Sequence, residues 1–394
     1  MAKIRILLFL ISVAVVGTIG LVVSLYARGY RFNLNTLKFE PNGILVIKSD
    51  PDGARVYINT EFKTATNTTL SISPGTYDIE VKKDGFLPWK KRFTVEKEIV
   101  TQATASLFRA APSLSAETFT GIVNPVASDD YTKIAYVVSP SQGISQDKVG
   151  LWVTDTFNLP IGFSREPKRI TDGDLSTATF IFSPDNRQIL LTTKHGVYLL
   201  DTGNFVSQAQ RVNISSKKEE TMASWKEQKT KKMESLIRNL PDPIPDILAR
   251  KTSEFQFSPD ESMIVYTASA SANIPGNLIT QLPGSSTQKQ ERTVQIDKTY
   301  VYDIKEDRNF LVADIPITSN SSAIRWFPTS RHLIYAEEGK ITIMDYDSTN
   351  KQTVYSGSYI APFAFPFTNS SKLLILTNLG AGSSASNLYS LNLK

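Results

Sequence analysis

An aromatic residue, then Ser-Pro-Asp, then a short apolar strand: this unit recurs along the chain and limits its possible folds more than any other feature. It reads Phe182-Ser183-Pro184-Asp185 ahead of Ile189-Leu190-Leu191, and Phe257-Ser258-Pro259-Asp260 ahead of Met263-Ile264-Val265-Tyr266. Looser copies are Asn124-Pro125 with Ser128-Asp129-Asp130, Trp326-Phe327-Pro328 and Phe365-Pro366-Phe367, each again followed by an apolar strand. A supersecondary unit that cannot bury its own apolar face must stack on its copies, and all-strand units with a period of about 40 residues are propeller blades. The expectation is a rigid all-β disc that binds through its loops.

A leading strand near Glu117 to Thr120 stands without a blade, and the last unit, ending Asn387-Leu388-Tyr389-Ser390-Leu391, stops one strand short. Joining the two in one sheet removes an open edge and closes a ring. Five blades then begin near Ile122, Ala178, Glu254, Ala323 and Pro362. The prolines of the last two units, Pro328 and Pro366, lie 38 residues apart, but 75 residues separate Ser183 from Ser258. The excess is a helical insertion at 215–250, with Met222, Trp225, Met233, Leu236, Ile237 and Leu240 at mostly helical spacing and Pro241-Asp242-Pro243 as its stop. A long loop, 269–297, splits the second and third strands of the third blade. The turns, together with strands such as Tyr300-Val301-Tyr302-Asp303, resemble the TolB-type and WD-like bacterial propellers, which implies the fold of residues 113–394 and no particular function.

The N-terminus indicates a membrane. From Ile6 to Leu25 run twenty uncharged residues, fourteen of them Ile, Leu, Val or Phe; as a helix they span roughly 30 Å, the hydrocarbon core of a bilayer. A cleaved signal peptide has a shorter apolar region and a small-residue cleavage site, and here only Ala27 offers one. Residues 1–26 are therefore expected to be a cytoplasmic tip and an uncleaved signal anchor, 27–40 a juxtamembrane linker, and the bulk of the chain extracytoplasmic. Basic residues flank the helix on both sides, so the positive-inside count does not decide orientation by itself.

Residues 41–109 form a separate module. Ile44-Leu45-Val46-Ile47, Ala54 to Ile58, Thr76 to Val81, Lys91 to Val95 and Thr101 to Leu107 alternate as half-buried strands do, with turns at Pro51-Asp52-Gly53, Pro74-Gly75 and Lys83-Asp84-Gly85. This is a compact β-sandwich. It resembles the PEGA domain family through Pro51-Asp52-Gly53-Ala54, Pro74-Gly75 and Lys83-Asp84-Gly85-Phe86. It departs from that family at Asn59-Thr60-Glu61, where a glycine is usual, and at Asn67-Thr68-Thr69. The resemblance implies a non-catalytic binding or spacer module of prokaryotic envelope proteins.

Chemistry-bearing patterns are sparse. With 41% hydrophobic and 21% charged residues the chain is globular, its formal charge of +5 is spread out, and cysteine is absent; these values exclude disorder, a nucleic-acid stripe, thiolate metal sites and thiol nucleophiles. His195 and His332 stand alone, and Asp185 and Asp260 read as turn-stabilising carboxylates. No metal and no cofactor is expected, and no small-molecule substrate. Four Asn-x-Ser/Thr triplets, at Asn67, Asn213, Asn320 and Asn369, are within what a chain rich in these residues produces by chance. Two features invite a partner. Lys82, Lys83, Lys90, Lys91 and Arg92 surround Phe86 and Trp89, a pattern suited to lipid headgroups or an anionic wall polymer, or else a solvated hairpin whose aromatics cap the small core. In a four-stranded blade the connections from strand two to three and from strand four to the next blade emerge on one face, so 140–149, 215–250 and 269–297 are expected to crowd together. Trp225, Met233 and Leu236 are the candidate protein contacts there, unless the helix simply packs them on the disc. The expected protein is a membrane-anchored, extracytoplasmic, non-enzymatic binding or scaffold protein of the cell envelope, with a protein or cell-wall polymer as partner. The alternative is a propeller scaffold or accessory subunit of an envelope enzyme such as a peptidase.

Overall fold

The computed structural model describes residues 2–33, 38–157, 166–280, 286–318, 322–382 and 385–394. Helix α1 (Ala2–Ala27) opens the chain. Its stretch Ile6–Ala27 has a mean hydropathy of 2.9 and no part of it is buried in the protein; its length and composition suffice to cross a bilayer. Part of the expected linker is instead a hairpin, β1 (Tyr30–Asn33) with β2 (Lys38–Pro41), stapled by Phe32 edge-on to Phe39 at 5.3 Å. Contacts divide the chain into two units, Met1–Leu107 with Thr280–Lys289, and Phe108–Ile279 with Gln290–Lys394.

In the first unit, β3 (Gly43–Asp50), β4 (Arg55–Ile58), β5 (Glu61–Ala65), β6 (Thr68–Ile72), β7 (Gly75–Lys82), β8 (Trp89–Val95) and β9 (Val100–Ser106) form two sheets, in the orders β6-β3-β9 and β5-β4-β7-β8. β3 alternates buried and half-exposed residues along its length. Its inward side chains Leu45 and Ile47 meet Val56, Ile79, Val81 and Trp89 in one apolar cluster. β5 and β6 were not expected. Every residue of theirs is exposed or half-buried; β5 has no apolar alternation, and in β6 the inward phase is only Thr68, Leu70 and Ile72, too short a pattern to stand out although Leu70 and Ile72 pack on the core.

The second unit is a series of antiparallel sheets. The first holds β11 (Val123–Ala127), β12 (Lys133–Val138), β13 (Gly150–Asp155) and β14 (Lys168–Asp172), and the second β15 (Thr179–Phe182), β16 (Gln188–Thr193) and β17 (Gly196–Asp201). The third is β18 (Thr252–Phe257), β19 (Met263–Ala268), β22 (Thr299–Asp303) and β23 (Arg308–Ala313), with the two-residue pair β20 (Ala272–Asn273) and β21 (Thr293–Val294) between β19 and β22. The fourth is β24 (Ala323–Trp326), β25 (His332–Glu337), β26 (Lys340–Asp345) and β27 (Gln352–Ser356). The fifth joins β28 (Ala364–Pro366), β29 (Lys372–Thr377) and β30 (Asn387–Asn392) to β10 (Ser113–Ala116), with Leu114 opposite Leu391. The leading strand thus completes the last sheet, but it lies at 113–116 and not at 117–120. Past Glu117 side-chain bonds replace the ladder: the Asn387 side chain, at the start of β30, accepts Thr118 Oγ1–H and Gly121 N–H, both at 3.0 Å, and Thr118 Oγ1 accepts the Leu388 amide at 2.9 Å.

One turn is repeated in all five sheets. The amides of Tyr131, Asn186, Glu261, Ser330 and Ser370 donate to the carbonyls of Ser128, Ser183, Ser258, Phe327 and Phe367, at 2.8 to 3.0 Å. Those five residues all have φ between 58° and 60°. A side chain one place earlier braces each turn: Asp185 Oδ1 accepts Ser183 Oγ–H at 2.6 Å, Asp260 accepts Ser258 Oγ–H at 2.8 Å, and Asp130 accepts Ser128 Oγ–H at 2.8 Å. Asn369 takes the place of that aspartate by accepting the Ser371 amide at 3.1 Å. The Ser-Pro-Asp carboxylates are therefore structural. This register aligns Phe367 with Phe327, so Thr368, and not Pro366, is the counterpart of Pro328.

Apolar clusters join the first sheet to the second, the third to the fourth, the fourth to the fifth and the fifth to the first. Among the described residues, no cluster joins the second sheet to the third. There the insertion intervenes. It is two helices, α2 (Lys218–Ile237) and α3 (Ile244–Arg250), and not one. Leu240, Ile244, Ile247 and Leu248 cover the third sheet by packing on Ile264, Tyr266 and Tyr300.

Candidate functional site

The face of the second sheet turned from the first is incompletely covered, and this makes a cleft. In β15 the side chains alternate: Phe180 and Phe182 enter the cluster shared with the first sheet, which leaves Ile181 on the other face, 43% exposed. α2 runs beside it. Ser215 Oγ accepts the Val197 amide at 3.1 Å, next to the hairpin joining β16 to β17. Fourteen residues on, a rise of about 20 Å, Lys229 Nζ meets Asp129 at 2.6 Å in the turn between β11 and β12. That turn lies at the end of the sheets opposite to the hairpin, so α2 runs from one end to the other. The expectation that this insertion stays on one face is not met, because a twenty-residue helix is longer than any strand beside it. Between helix and sheets lies a cleft of about 370 Å³, lined by Val126, Ile181, Phe182, Met222, Trp225 and Lys226.

Of the candidate contacts, Trp225 lines this cleft, half-buried, while Met233 and Leu236 are half-buried further along α2 and do not line it. Met222 belongs to the helical stripe but not to the candidate contacts, and Ile181 and Lys226 are additions from outside that stripe. Ile181 had a legible signal, an apolar residue at the solvent-facing phase of a strand. The Lys229 to Asp129 pair is exposed on both sides and is worth about 0.2 to 1 kcal/mol, enough to bias the helix position but not to hold it.

The cationic patch of the first unit differs from its expected form. Trp89 is 2% exposed and belongs to the core, and Phe86 packs half-buried against it. Lys82 and Lys90 both reach the Glu80 carboxylate, each at 2.9 Å. Burial pushes the Glu80 carboxyl up, but hydrogen bonds from the two lysines outweigh it and hold the group below its ordinary range. Arg92 Nε and Nη2 grip both oxygens of Asp78 at 2.6 and 2.8 Å, and this forked bond lowers the Asp78 carboxyl. Lys83 Nζ donates to the Asp52 carbonyl. Asp78, Glu80, Lys90, Lys91 and Arg92 border a groove of about 590 Å³ that also takes in Thr287 and Gln288, whose side chains donate to the Arg92 carbonyl at 3.1 Å. Lys82, Lys83, Lys90 and Arg92 thus have partners within their own unit, and neither aromatic projects.

His332 is buried, its Nδ1 2.7 Å from Thr329 Oγ1 and its ring edge-on to Phe108 and Phe327. It fills the core beside the repeated turn. Among the described residues no three of His, Cys, Asp and Glu stand close enough to hold a metal ion. Asn213 and Asn369 accept the amides of Ser215 and Ser371 at 2.9 and 3.1 Å, and Asn67 accepts that of Ser49 at 3.3 Å, so these three triplets brace the backbone; Asn320 lies outside the described residues.

Asp303, the last residue of the Tyr-x-Tyr-Asp strand, is buried while accepting the amides of Lys305 and Glu306, each at 2.9 Å. Burial pushes its carboxyl up to about 6. An aspartate titrates near ~4 in the unfolded chain, so folding favours the protonated form. That contribution is full below pH ~4 and lost as pH rises through the folded value. Asp303→Asn keeps an acceptor for both amides, and is expected to raise stability at pH 7.5 by up to about 3 kcal/mol, with the gain vanishing below pH ~4. Urea unfolding of both proteins across pH checks this; equal stability at pH 7.5 would refute it.

Comparison with known proteins bears on the first unit. Residues 42–110 match the PEGA domain model. No curated protein matches the chain in sequence. Among solved structures, TolB from Acinetobacter baumannii is 14% identical with a TM-score of 0.24, over 80% of this chain and 59% of that one. A putative TolB from Agrobacterium tumefaciens is 12% identical with a TM-score of 0.21, over 69% of this chain and 73% of its own. The chain thus spans less than two thirds of the first of these, and both scores are too low to carry a fold or a function across.

Proposed function

We propose that this is a membrane-anchored, extracytoplasmic binding protein of the cell envelope, without catalytic activity of its own. In this reading α1 is an uncleaved signal anchor and the PEGA-like unit a spacer. The five sheets are the blades of a β-propeller, closed at the fifth blade by β10 and carrying α2 and α3 between the second and third. The repeated turn supports the blade assignment, since one hydrogen-bond pattern recurs in each sheet at the same place. The cleft carries the functional reading. An apolar strand face left open beside a helix that offers Trp225 and Met222, with lysines on its rim, suits a protein segment that supplies an apolar anchor.

A photo-crosslinker placed at Met222 in cells is expected to trap a protein, and one at the exposed Gln228, on the same helix but off the cleft, is not. Trp225→Ala should abolish the adduct and shift the melting temperature by no more than a few degrees, because a half-buried side chain loses only part of the cost of a core truncation. Equal trapping at both positions would sink the assignment. A large loss of stability in Trp225→Ala would make that residue a packing residue.

A further inference from the structure

The fifth sheet ends in three connections that meet at one edge. The start of β28, the end of β29, the start of β30 and the end of β10 coincide there, as the pairings of Ala364 with Ile375, Thr377 with Asn387 and Ala116 with Tyr389 require. The described residues leaving that edge are 357–363, 378–382 with 385–386, and 117–122. They are stitched together: the Ile360 amide donates to the Leu376 carbonyl at 2.8 Å, Thr377 Oγ1 to the Ser358 carbonyl at 2.6 Å, and the Ile122 amide to the Ser386 carbonyl at 2.8 Å. Each segment carries an outward apolar side chain. Phe119 is 81% exposed, Leu379 55% and Ile360 41%. Leu379 also sits at φ 55°, a conformation that is costly for a bulky residue and is normally left to glycine or asparagine. Among the described residues of the three segments only Glu117 is charged, and it is engaged by Lys372 at 3.7 Å.

We propose that these three loop tips dip into the surface of the bilayer. A lipid interface accepts Phe, Ile and Leu side chains flanked by uncharged small residues and asks for no hydrogen-bond complementarity. A protein partner would ordinarily be met by a rim of polar and charged groups, and apart from the engaged Glu117 the described residues of these tips carry no charge. The chain also carries its own lipid-seeking helix, so a bilayer is the apolar phase held at high effective concentration around it. The inference rests on the reading of α1 as an anchor.

The test exploits the absence of cysteine from the chain. Phe119→Cys and Ile360→Cys, each labelled with an environment-sensitive dye in the full-length protein, are reconstituted into phosphatidylcholine vesicles, with Arg187→Cys in the turn at the other end of the second sheet as control. At the two loop tips the dye emission is expected to shift to the blue and to be quenched by nitroxide-bearing lipid, equally at 0.1 and 1 M salt because no charge pairing is involved. The control should stay in water. Flotation of the vesicles reads the anchor separately: protein that fails to float refutes the anchor. Protein that floats with unquenched, water-like dye at both tips overturns the insertion while leaving the anchor standing. Blue-shifted emission that lipid nitroxides do not quench overturns it in favour of a protein occupant or a second copy of this chain.

Discussion

Removal of Ser113–Ala116 is expected to lower the melting temperature of the second unit by roughly 10 to 15 °C. The four residues pair with Tyr389 to Asn392 along β30, and Leu114 packs on the cluster shared by the fourth and fifth sheets. At about 1 kcal/mol for each strand bond and a further ~1 for the half-buried leucine the loss is about 4 to 5 kcal/mol, and a unit of this size loses about 2 to 4 °C per kcal/mol. The effect reaches beyond one strand, because β30 becomes an open edge with unpaired amides and carbonyls, a template for association between chains. Calorimetry of the deletion should show the second unit melting early and the first unit unchanged, with light scattering rising at the earlier transition. A second-unit transition that coincides with that of the parent would show that β10 does not complete the fifth sheet.

The repeat was legible where its chemistry is strictest. In Phe-Ser-Pro-Asp the carboxylate must accept bonds from a serine and from the backbone at once, and Asp185 and Asp260 do so. The other copies are obscure because any short acceptor can hold the turn, so Asp130, Thr329 and Asn369 serve in that place. The left-handed position is filled by Tyr131, Asn186, Glu261, Ser330 and Ser370, which leaves no glycine as a signpost. Phe365-Pro366 misled for the same reason: an aromatic-proline pair suggested one alignment, while the backbone bonds, invisible in sequence, set another two residues along. The helical insertion announced itself by its spacing, but what lies against it did not. Trp225 and Ile181, distant in sequence, line one cleft because tertiary packing brings them to it, whereas Met233 and Leu236, on the same stripe, belong to a different stretch of the helix.

Trp89→Ala is expected to cost about 3 to 5 kcal/mol, a large fraction of the 5 to 15 kcal/mol that holds a domain of ordinary stability together. Flanked by Pro88 and by Lys90, Lys91 and Arg92, this tryptophan has the sequence surroundings of a surface anchor. Strand phase decides otherwise. Trp89 stands opposite Val81 in the β7 to β8 register and points with it into the cluster that contains Leu45, Ile47 and Val56, with its ring 6.1 Å from Phe93. Lys90 and Arg92 alternate away and are neutralised by Glu80 and Asp78, while Lys91, opposite Ile79, is half-buried on the phase of Trp89. Its Nε1 makes no hydrogen bond, so Trp89→Phe gives up packing volume but no polar interaction and should cost far less. Lys90→Ala removes one exposed ion pair and should stay within about 1 kcal/mol. Amide exchange across β3 and β7 in the full-length chain separates these cases: protection should collapse in Trp89→Ala, persist in Trp89→Phe and hardly change in Lys90→Ala. Undiminished protection in Trp89→Ala would return this side chain to the surface and restore the patch around it as a candidate contact for lipid or an anionic polymer.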